Sequence, residues 1–361
     1  MIGRPLVFIP GIYCSTLAIN DNTFWPPSKS SSPTVRDVLH ELGTNIPRAA
    51  GKDVPVVAKH LFPTTYDAFI NSMSSASCGY TQGSNFWIFP YDWRQSNNIS
   101  GKELTDFIKD KIHGTNWDGV DVVCHSMGGF VVRAAIMNHG APIKRTVYIA
   151  SPHYGNPVAY FTLNPEIHTA MTTIAQGFFY FLTHNKDLPD ADTILENELK
   201  DLFRKWPSMY ELMPDKFYLD KEAMIFQNGT LPINGVDKTY LSGGLEFKLQ
   251  EMRDQVNHAM EFKDKLGEKL PGDPDDILVI FNEDNQTLDR VNYSETTKKE
   301  LVSASSTGDT LVVTKSGMCS MSGSPLYNSR SISKCVHLTI PNDQRTINEI
   351  MRYLNPLCYY L

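Results

Sequence analysis

The run VDVVCHSMGGFVVRAAIMNHG, residues 120–140, constrains the fold more than any other stretch. Val120 to Cys124 is a short apolar segment with the length and content of a buried strand. The residues after it form an apolar stretch of helical length, and Gly140 stands where a helix C-terminus favours glycine. Only His125, Ser126 and Met127 lie between the two elements. A strand that becomes a helix through so short a link must turn on a strained backbone. Gly128 and Gly129 follow at the place where helix and strand approach closely, and a side chain there would push them apart.

The same alternation runs through the first part of the chain. PLVFI (5–9) is a buried strand stopped by Pro10-Gly11, and FWPPSKSSSPT (24–34) is a Pro/Ser-rich loop. Helical spacing appears over 64–78, through Tyr66, Phe69, Ile70 and Met73. FWIFP (86–90) is the next strand, and 101–113 is an amphipathic helix with Leu104, Phe107, Ile108 and Ile112 on one face. TVYIAS (146–151) is a further strand. Strands and helices in alternation predict an α/β fold with a mostly parallel sheet covered on both faces. Residues 157–270 break the pattern and read as mainly helical, with the aromatic cluster GFFYF (177–181), the charged amphipathic stretch 194–205 and a long helix near 245–268. Alternation then resumes with DILVIF (276–281), DTLVV (309–313) and an amphipathic helix over 343–354. The expected organisation is a core made of 1–156 and 271–361, with a helical cap, 157–270, inserted between two of its strands.

Composition narrows the function classes. The chain has 361 residues, 41% hydrophobic and 20% charged, with a net charge of −7. That is ordinary for a globular protein. The absence of a Lys/Arg cluster speaks against nucleic acid as a partner. No apolar run approaches the roughly 20 residues of a transmembrane helix. No leader is visible, so the expectation is a cytoplasmic protein or the mature form of a secreted one. Six scattered cysteines, without C-x-x-C or H-E-x-x-H, give no support to a metal site, and no cofactor is expected. The N-x-S/T sequons at Asn98, Asn228, Asn285 and Asn292 do not settle the compartment.

The strand, tight turn and helix around Ser126 are the requirements of a nucleophile elbow, G-x-S-x-G, with Cys124 in place of the first glycine. The glycine is needed for lack of room, and cysteine is a small apolar substitute that buries readily. A serine needs a base and a carboxylate to act, in the chain order Ser, Asp/Glu, His on this kind of fold. Two histidines lie beyond the cap's middle. His258 sits within a charged helix and reads as a solvated residue. His337, in KCVHLTIPND, follows a late strand and precedes the final helix. For the acid, SSTGDTLVV puts Asp309 in a turn between Gly308 and a strand; Asp275, Asp276 and Asp289 compete. Two backbone N–H groups must hold the oxyanion, one from Met127 and one from Ile12 in the loop after the first strand. His125 and His153 are read as structural neighbours of the site, and Tyr91, Asp92, Trp93 and Arg94 as scaffold under its floor.

These residues resemble a known family. FIPGIYCSTL (8–17), FPYDWRQS (89–96), the H-S-M-G-G of the elbow, STGDTLVV (306–313), the position of His337 and KWPSMYELMP (205–214) are similar to segments of the lecithin:cholesterol acyltransferase and phospholipid:diacylglycerol acyltransferase family of α/β-hydrolases. The resemblance implies an enzyme that forms an acyl-Ser126 intermediate from a lipid ester and passes the acyl group to water or an alcohol. Carried over, it makes Asp309 and His337 the partners of Ser126 and gives the oxyanion to Ile12 and Met127. It implies a lipid or other hydrophobic ester as partner, with transient contact at a lipid interface. GFFYF is then either a lipid-facing surface, with Phe178 and Phe181 on one face, or the core of the cap itself. Cys319 and Cys335 flank adjacent late elements and would be able to pair in an oxidising compartment. Two other readings stay open: a carboxylesterase or depolymerase acting on non-lipid esters, and a catalytically impaired relative that binds lipid or a protein.

Overall fold

The computed structural model describes residues 4–19, 22–26, 35–44, 56–62, 65–75, 79–163, 196–222, 225–227, 231–233, 246–294 and 299–355. In chain order their strands are β1 Leu6–Ile9, β2 Ser15–Ile19, β3 Asn22–Trp25, β4 Val56–Leu61, β5 Phe86–Ile88, β6 Val120–His125, β7 Ile143–Ile149, β8 Ile225–Gln227, β9 Leu231–Ile233, β10 Ile277–Phe281, β11 Asn285–Ser294, β12 Lys299–Gly308 and β13 Asn328–Ser331.

Six of them build a central sheet in the order β13-β10-β7-β6-β1-β5, and every pairing within it is parallel. β1, β6 and β10 are buried along their whole length, as strands covered on both faces must be. The helices Asn97–Ile112 and Gly128–His139 pack on one another beside the sheet. The latter ends as its sequence requires, with Gly140 at φ 62° and its N–H on the Ala135 and Ile136 carbonyls. The final helix, Gln344–Leu354, turns Ile347, Ile350 and Leu354 inward.

After β7 the chain leaves the sheet through the helix Pro157–Leu163 and returns at β10, which pairs with β7 itself. A segment whose two ends lie on neighbouring strands leaves the central sheet unbroken. Its described parts are the helices Glu196–Phe203, Pro207–Glu211, Lys216–Leu219 and Glu246–Leu266. It also contributes β8 and β9, two strands that helical spacing does not anticipate. β8 pairs in parallel with β11, giving a second sheet, β12-β11-β8-β9, that joins the insertion to the segment after β10. GFFYF, with Phe178 and Phe181, lies outside the described residues.

The described residues between β7 and β10 are tied to the rest of the fold by several buried contacts. Trp206 lies 5.1 Å from the ring of Trp93, which in turn meets Tyr13 and Trp25. The Glu211 carboxylate accepts from Ser96 Oγ at 2.5 Å and from Asn97 N and Nδ2 at 2.7 Å each, capping the helix Asn97–Ile112 from outside. Lys263 is buried, donates to the Met213 carbonyl and sits 5.2 Å over the Phe130 ring.

Candidate active site

β6 delivers the chain to Ser126, which adopts φ 53°, a left-handed conformation that a serine seldom takes. Its N–H donates to the Ile149 carbonyl of β7 at 2.9 Å, so the sheet itself holds the turn. The helix Gly128–His139 starts at once and runs against β1. A Cβ built on Gly128 would lie 2.6 Å from the Pro10 carbonyl oxygen, and one on Gly129 2.5 Å from Ser151 Oγ. No side chain fits at either place. Cys124 is buried in β6 with its thiol toward the Val147 carbonyl, 3.5 Å away. Burial pushes that thiol well above its ordinary ionisation, so it carries no thiolate and reads as packing.

Ser126 Oγ is 2.8 Å from His337 Nε2, and His337 Nδ1 is 2.8 Å from Asp309 Oδ2. All three residues are buried, Ser126 at 4% exposure. A carboxylate only accepts, so Nδ1 carries the proton and Nε2 faces the serine hydroxyl with its lone pair. The backbone joins the two loops as well: His337 N–H donates to the Asp309 carbonyl at 2.8 Å. The other carboxylate oxygen, Oδ1, accepts from Leu311 N–H at 3.0 Å and Val312 N–H at 2.7 Å.

The segment around Asp309 differs from the sequence expectation. Asp309 follows a strand, β12, instead of preceding one, and 309–313 is not extended. Asp309 N–H donates to the Val312 carbonyl at 3.2 Å while its side chain takes the Val312 N–H, closing a tight Asx-type turn before the short helix Thr314–Gly317. Thr310 is at φ 84° inside that turn. The competing carboxylates lie elsewhere. Asp275 and Asp276 are exposed in the turn before β10, and Asp289 accepts from Ser306 Oγ at 2.6 Å. His258 is exposed on its helix.

Met127 stands at the N-cap of the helix Gly128–His139 and is wholly buried. The first N–H groups of a helix have no intrahelical acceptor and sit at its positive end. Ile12 follows Gly11, where an added Cβ would lie 3.0 Å from Ser126 Cβ. The loop after β1 therefore lies directly against the serine. It is braced by the FPYDWRQS segment: Tyr91 hydroxyl donates to the Pro10 carbonyl at 3.2 Å and Trp93 Nε1 to the Ser15 carbonyl at 3.1 Å. Arg94 forks onto Asp92 at 2.9 and 2.7 Å, fully buried, and donates to the Leu42 carbonyl. These four residues are scaffold.

Cys319 and Cys335 are both free thiols, contrary to the pairing considered from their positions. Cys319 is buried beside the Tyr154 hydroxyl, whereas Cys335 faces Asp343 at 3.0 Å and Arg345 at 3.4 Å. His153 is buried with its ring against Tyr148 and its carbonyl on Arg133. His125 does more than neighbour the site. It bonds the Tyr66 hydroxyl through Nδ1 at 2.8 Å and the His337 carbonyl through Nε2 at 3.0 Å. Tyr66 had only apolar helical spacing to recommend it, and nothing in the sequence pairs it with His125.

Comparison with known proteins bears on the family and the fold. Residues 59–351 match the profile of the lecithin:cholesterol acyltransferase family. The uncharacterized protein YJR098C of Saccharomyces cerevisiae is 31% identical over 106 residues, a match covering 26% of this chain and only 16% of that protein. Among solved structures, the Tle4–Tli4 complex contains a chain with TM-score 0.60 and 12% identity, covering 99% of both chains, a likeness of fold alone. The Bacillus licheniformis lipase BlEst2 in mature form has TM-score 0.40 at 12% identity, covering 98% of this chain and 92% of that one. The architecture is that of the α/β-hydrolases, a parallel sheet with a strand–turn–helix serine. With four-fifths of its length inside the family profile, the chain belongs to the lecithin:cholesterol acyltransferase family.

Proposed function

We propose that this protein cleaves lipid esters through an acyl-Ser126 intermediate and passes the acyl group to water or to an alcohol. The observation that supports this most is the line of two 2.8 Å hydrogen bonds, Asp309 to His337 to Ser126, ending on a serine in a strained turn. In this reading Ser126 Oγ attacks the ester carbonyl carbon while His337 Nε2 takes its proton. The carbonyl electron pair moves to oxygen, which Met127 and Ile12 N–H groups hold. The C–O bond then breaks, and the leaving alcohol takes the proton from His337. Water or a second alcohol repeats the sequence against the acyl-serine. Asp309 keeps Nδ1–H in place and offsets the charge of the imidazolium.

In the same reading residues 157–270 form a cap over the core of 1–156 and 271–361, and carry the acyl chain. Phe178 and Phe181 are its proposed lipid contacts, at a surface that touches a lipid interface transiently. Among the described residues no helix is long and apolar enough to cross a membrane.

The test has two parts. A fluorophosphonate should label the full chain stoichiometrically at Ser126, and Ser126→Ala should abolish the labelling. Across p-nitrophenyl esters of rising chain length, turnover should favour long chains. Phe178→Ser with Phe181→Ser should then lower long-chain turnover by about tenfold or more and spare short chains, since burying a ring on an acyl chain contributes about 1.5–3 kcal/mol. A chain that takes up no label is the impaired lipid-binding relative. One that labels but prefers short esters is a carboxylesterase.

A further inference from the structure

Three hydrogen bonds run beneath the proposed site, from the loop after β1 to the loop of His337. Gly11 N–H donates to the Tyr66 hydroxyl oxygen at 2.9 Å. That hydroxyl is 2.8 Å from His125 Nδ1, and His125 Nε2 is 3.0 Å from the His337 carbonyl oxygen. Tyr66 and His125 are each 1% exposed, so the link is shielded from bulk solvent.

Every proton in this chain is determined by its neighbours. A carbonyl oxygen only accepts, so His125 Nε2 carries hydrogen. A neutral imidazole then has only a lone pair at Nδ1, so Tyr66 donates to it. The Tyr66 oxygen is left to accept from Gly11. His125 must stay neutral for this to hold. Burial pushes its ionisation well below that of an ordinary imidazole, and the neighbouring His337 ring acts in the same direction. A second proton at Nδ1 would remove the acceptor that His125 offers the Tyr66 hydroxyl and break the link at that point. Packing fixes the rings as well: Tyr66 meets Phe8 edge-on at 4.8 Å, and the rings of His125 and His337 lie 4.9 Å apart.

We propose that Tyr66 and His125 are positioning residues that couple the oxyanion loop, Gly11-Ile12, to the base His337, holding both in one register around Ser126. The proposal rests on the reading above, in which Ile12 and His337 act on an ester. Its physical reason is that Ser126 is held by its own elbow, while the other two groups sit on loops from opposite ends of the chain. Gly11–Tyr66–His125–His337 is a direct hydrogen-bonded link between those loops. Neither positioning side chain touches the reacting atoms.

The experiment compares Tyr66→Phe, His125→Gln, His125→Leu and the double variant Tyr66→Phe/His125→Leu in the full chain, on p-nitrophenyl butyrate. Tyr66→Phe should lower kcat about tenfold and leave KM within about twofold, as expected when a transition-state arrangement is lost and substrate binding is not. The double variant should lose no more than His125→Leu alone, because the two residues act as one unit. His125→Gln should recover most of the rate, since its amide offers one donor to the His337 carbonyl and one acceptor to Tyr66. Nitrogen NMR of labelled histidine supplies a readout that needs no substrate: His125 should be neutral with hydrogen on Nε2 at about pH 6, below the ordinary imidazole value. An Nδ1–H tautomer, a charged ring, an unchanged kcat in Tyr66→Phe, or additive losses that track a falling melting temperature would each overturn the proposal. If the wild type neither labels nor hydrolyses any ester, the functional reading fails, and the tautomer measurement still decides whether the link exists.

Discussion

Ser126 and its partners reach one point by two different routes. The serine is placed by its own neighbours in sequence: β6 before it, the helix Gly128–His139 after it, and a bond from its N–H to β7. Asp309 and His337 are placed by distant contacts. Between β10 and β13 the chain makes a long excursion through the hairpin β11–β12, and Asp309 hangs from its end. His337 comes from a turn beyond β13, and the bond from its N–H to the Asp309 carbonyl ties the two loops together. The elbow is thus part of the core, and its integrity should show in stability. The Asp309 loop hangs outside the central sheet, and, in the proposed reading, its integrity should show in activity.

The largest expected effects remove the proposed reacting groups without touching either frame. Ser126→Ala and His337→Ala should each lower ester hydrolysis on the order of 10³-fold or more, with melting temperatures near wild type by calorimetry. Asp309→Asn should fall almost as far. A variant that kept more than about a tenth of the rate would send the acid's role to another carboxylate.

A glycine in each region then separates the two frames. A Cβ on Gly308 would meet the Val312 carbonyl oxygen and Thr287 Oγ1, so Gly308→Val should displace the Asp309 turn. We expect activity to drop about ten- to a hundredfold with only a modest change in melting temperature. At Gly128 the obstruction is backbone of β1 and the Pro10 loop. Gly128→Val should therefore damage folding first, seen as low soluble yield and early thermal unfolding. Equal losses of stability in both variants would break the comparison.

Cys124 offers a smaller perturbation of the elbow. Cys124→Gly should leave turnover within about a few-fold, whereas Cys124→Val should destabilise the fold by about 1–3 kcal/mol through overpacking. A stable but inactive Cys124→Gly protein would give the thiol a chemical part.

A last expected effect shows in stability against pH and lies at Glu211, which caps the helix Asn97–Ile112. Burial raises Glu211 from 4.5 to about 7 despite the donors from Ser96 and Asn97. The unfolded chain releases this proton near its ordinary value while the folded one keeps it, so the contribution to stability is full below about pH 4.5 and declines until about pH 7. Glu211→Gln should flatten the melting temperature across that window, as measured by calorimetry at a series of pH values.

Much of this was legible beforehand, and the reasons differ by element. β6, the helix after it and Ser126 announced themselves because the signals are contiguous: a buried run, a short link, paired glycines. His337 was legible from chain order and its place before the last helix. Asp309 is nominated by the same order and lies 2.8 Å from His337, but its surroundings differ from the expectation, because LVV looks like strand and the Asx turn that folds 309–312 back depends on one side chain's bonds. β11 and β12 gave little signal. They are polar, and register shifts at Thr287/Leu288 and Leu288/Arg290 blur the alternation that marks a strand. β8 is three residues long and exists by pairing with β11.

The sequence by itself determined the alternating layers and the strand–turn–helix around Ser126, because both rest on short-range periodicity, and chain order was enough to nominate Asp309 and His337 beside it. Tertiary structure alone decided the free state of Cys319 and Cys335, the β11–β12 hairpin that carries Asp309, and the bonds of Tyr66 and Glu211. Those outcomes depend on which buried polar atoms meet across long separations in the chain. A buried donor or acceptor must find its partner wherever the fold brings one, and no local pattern records where that will be.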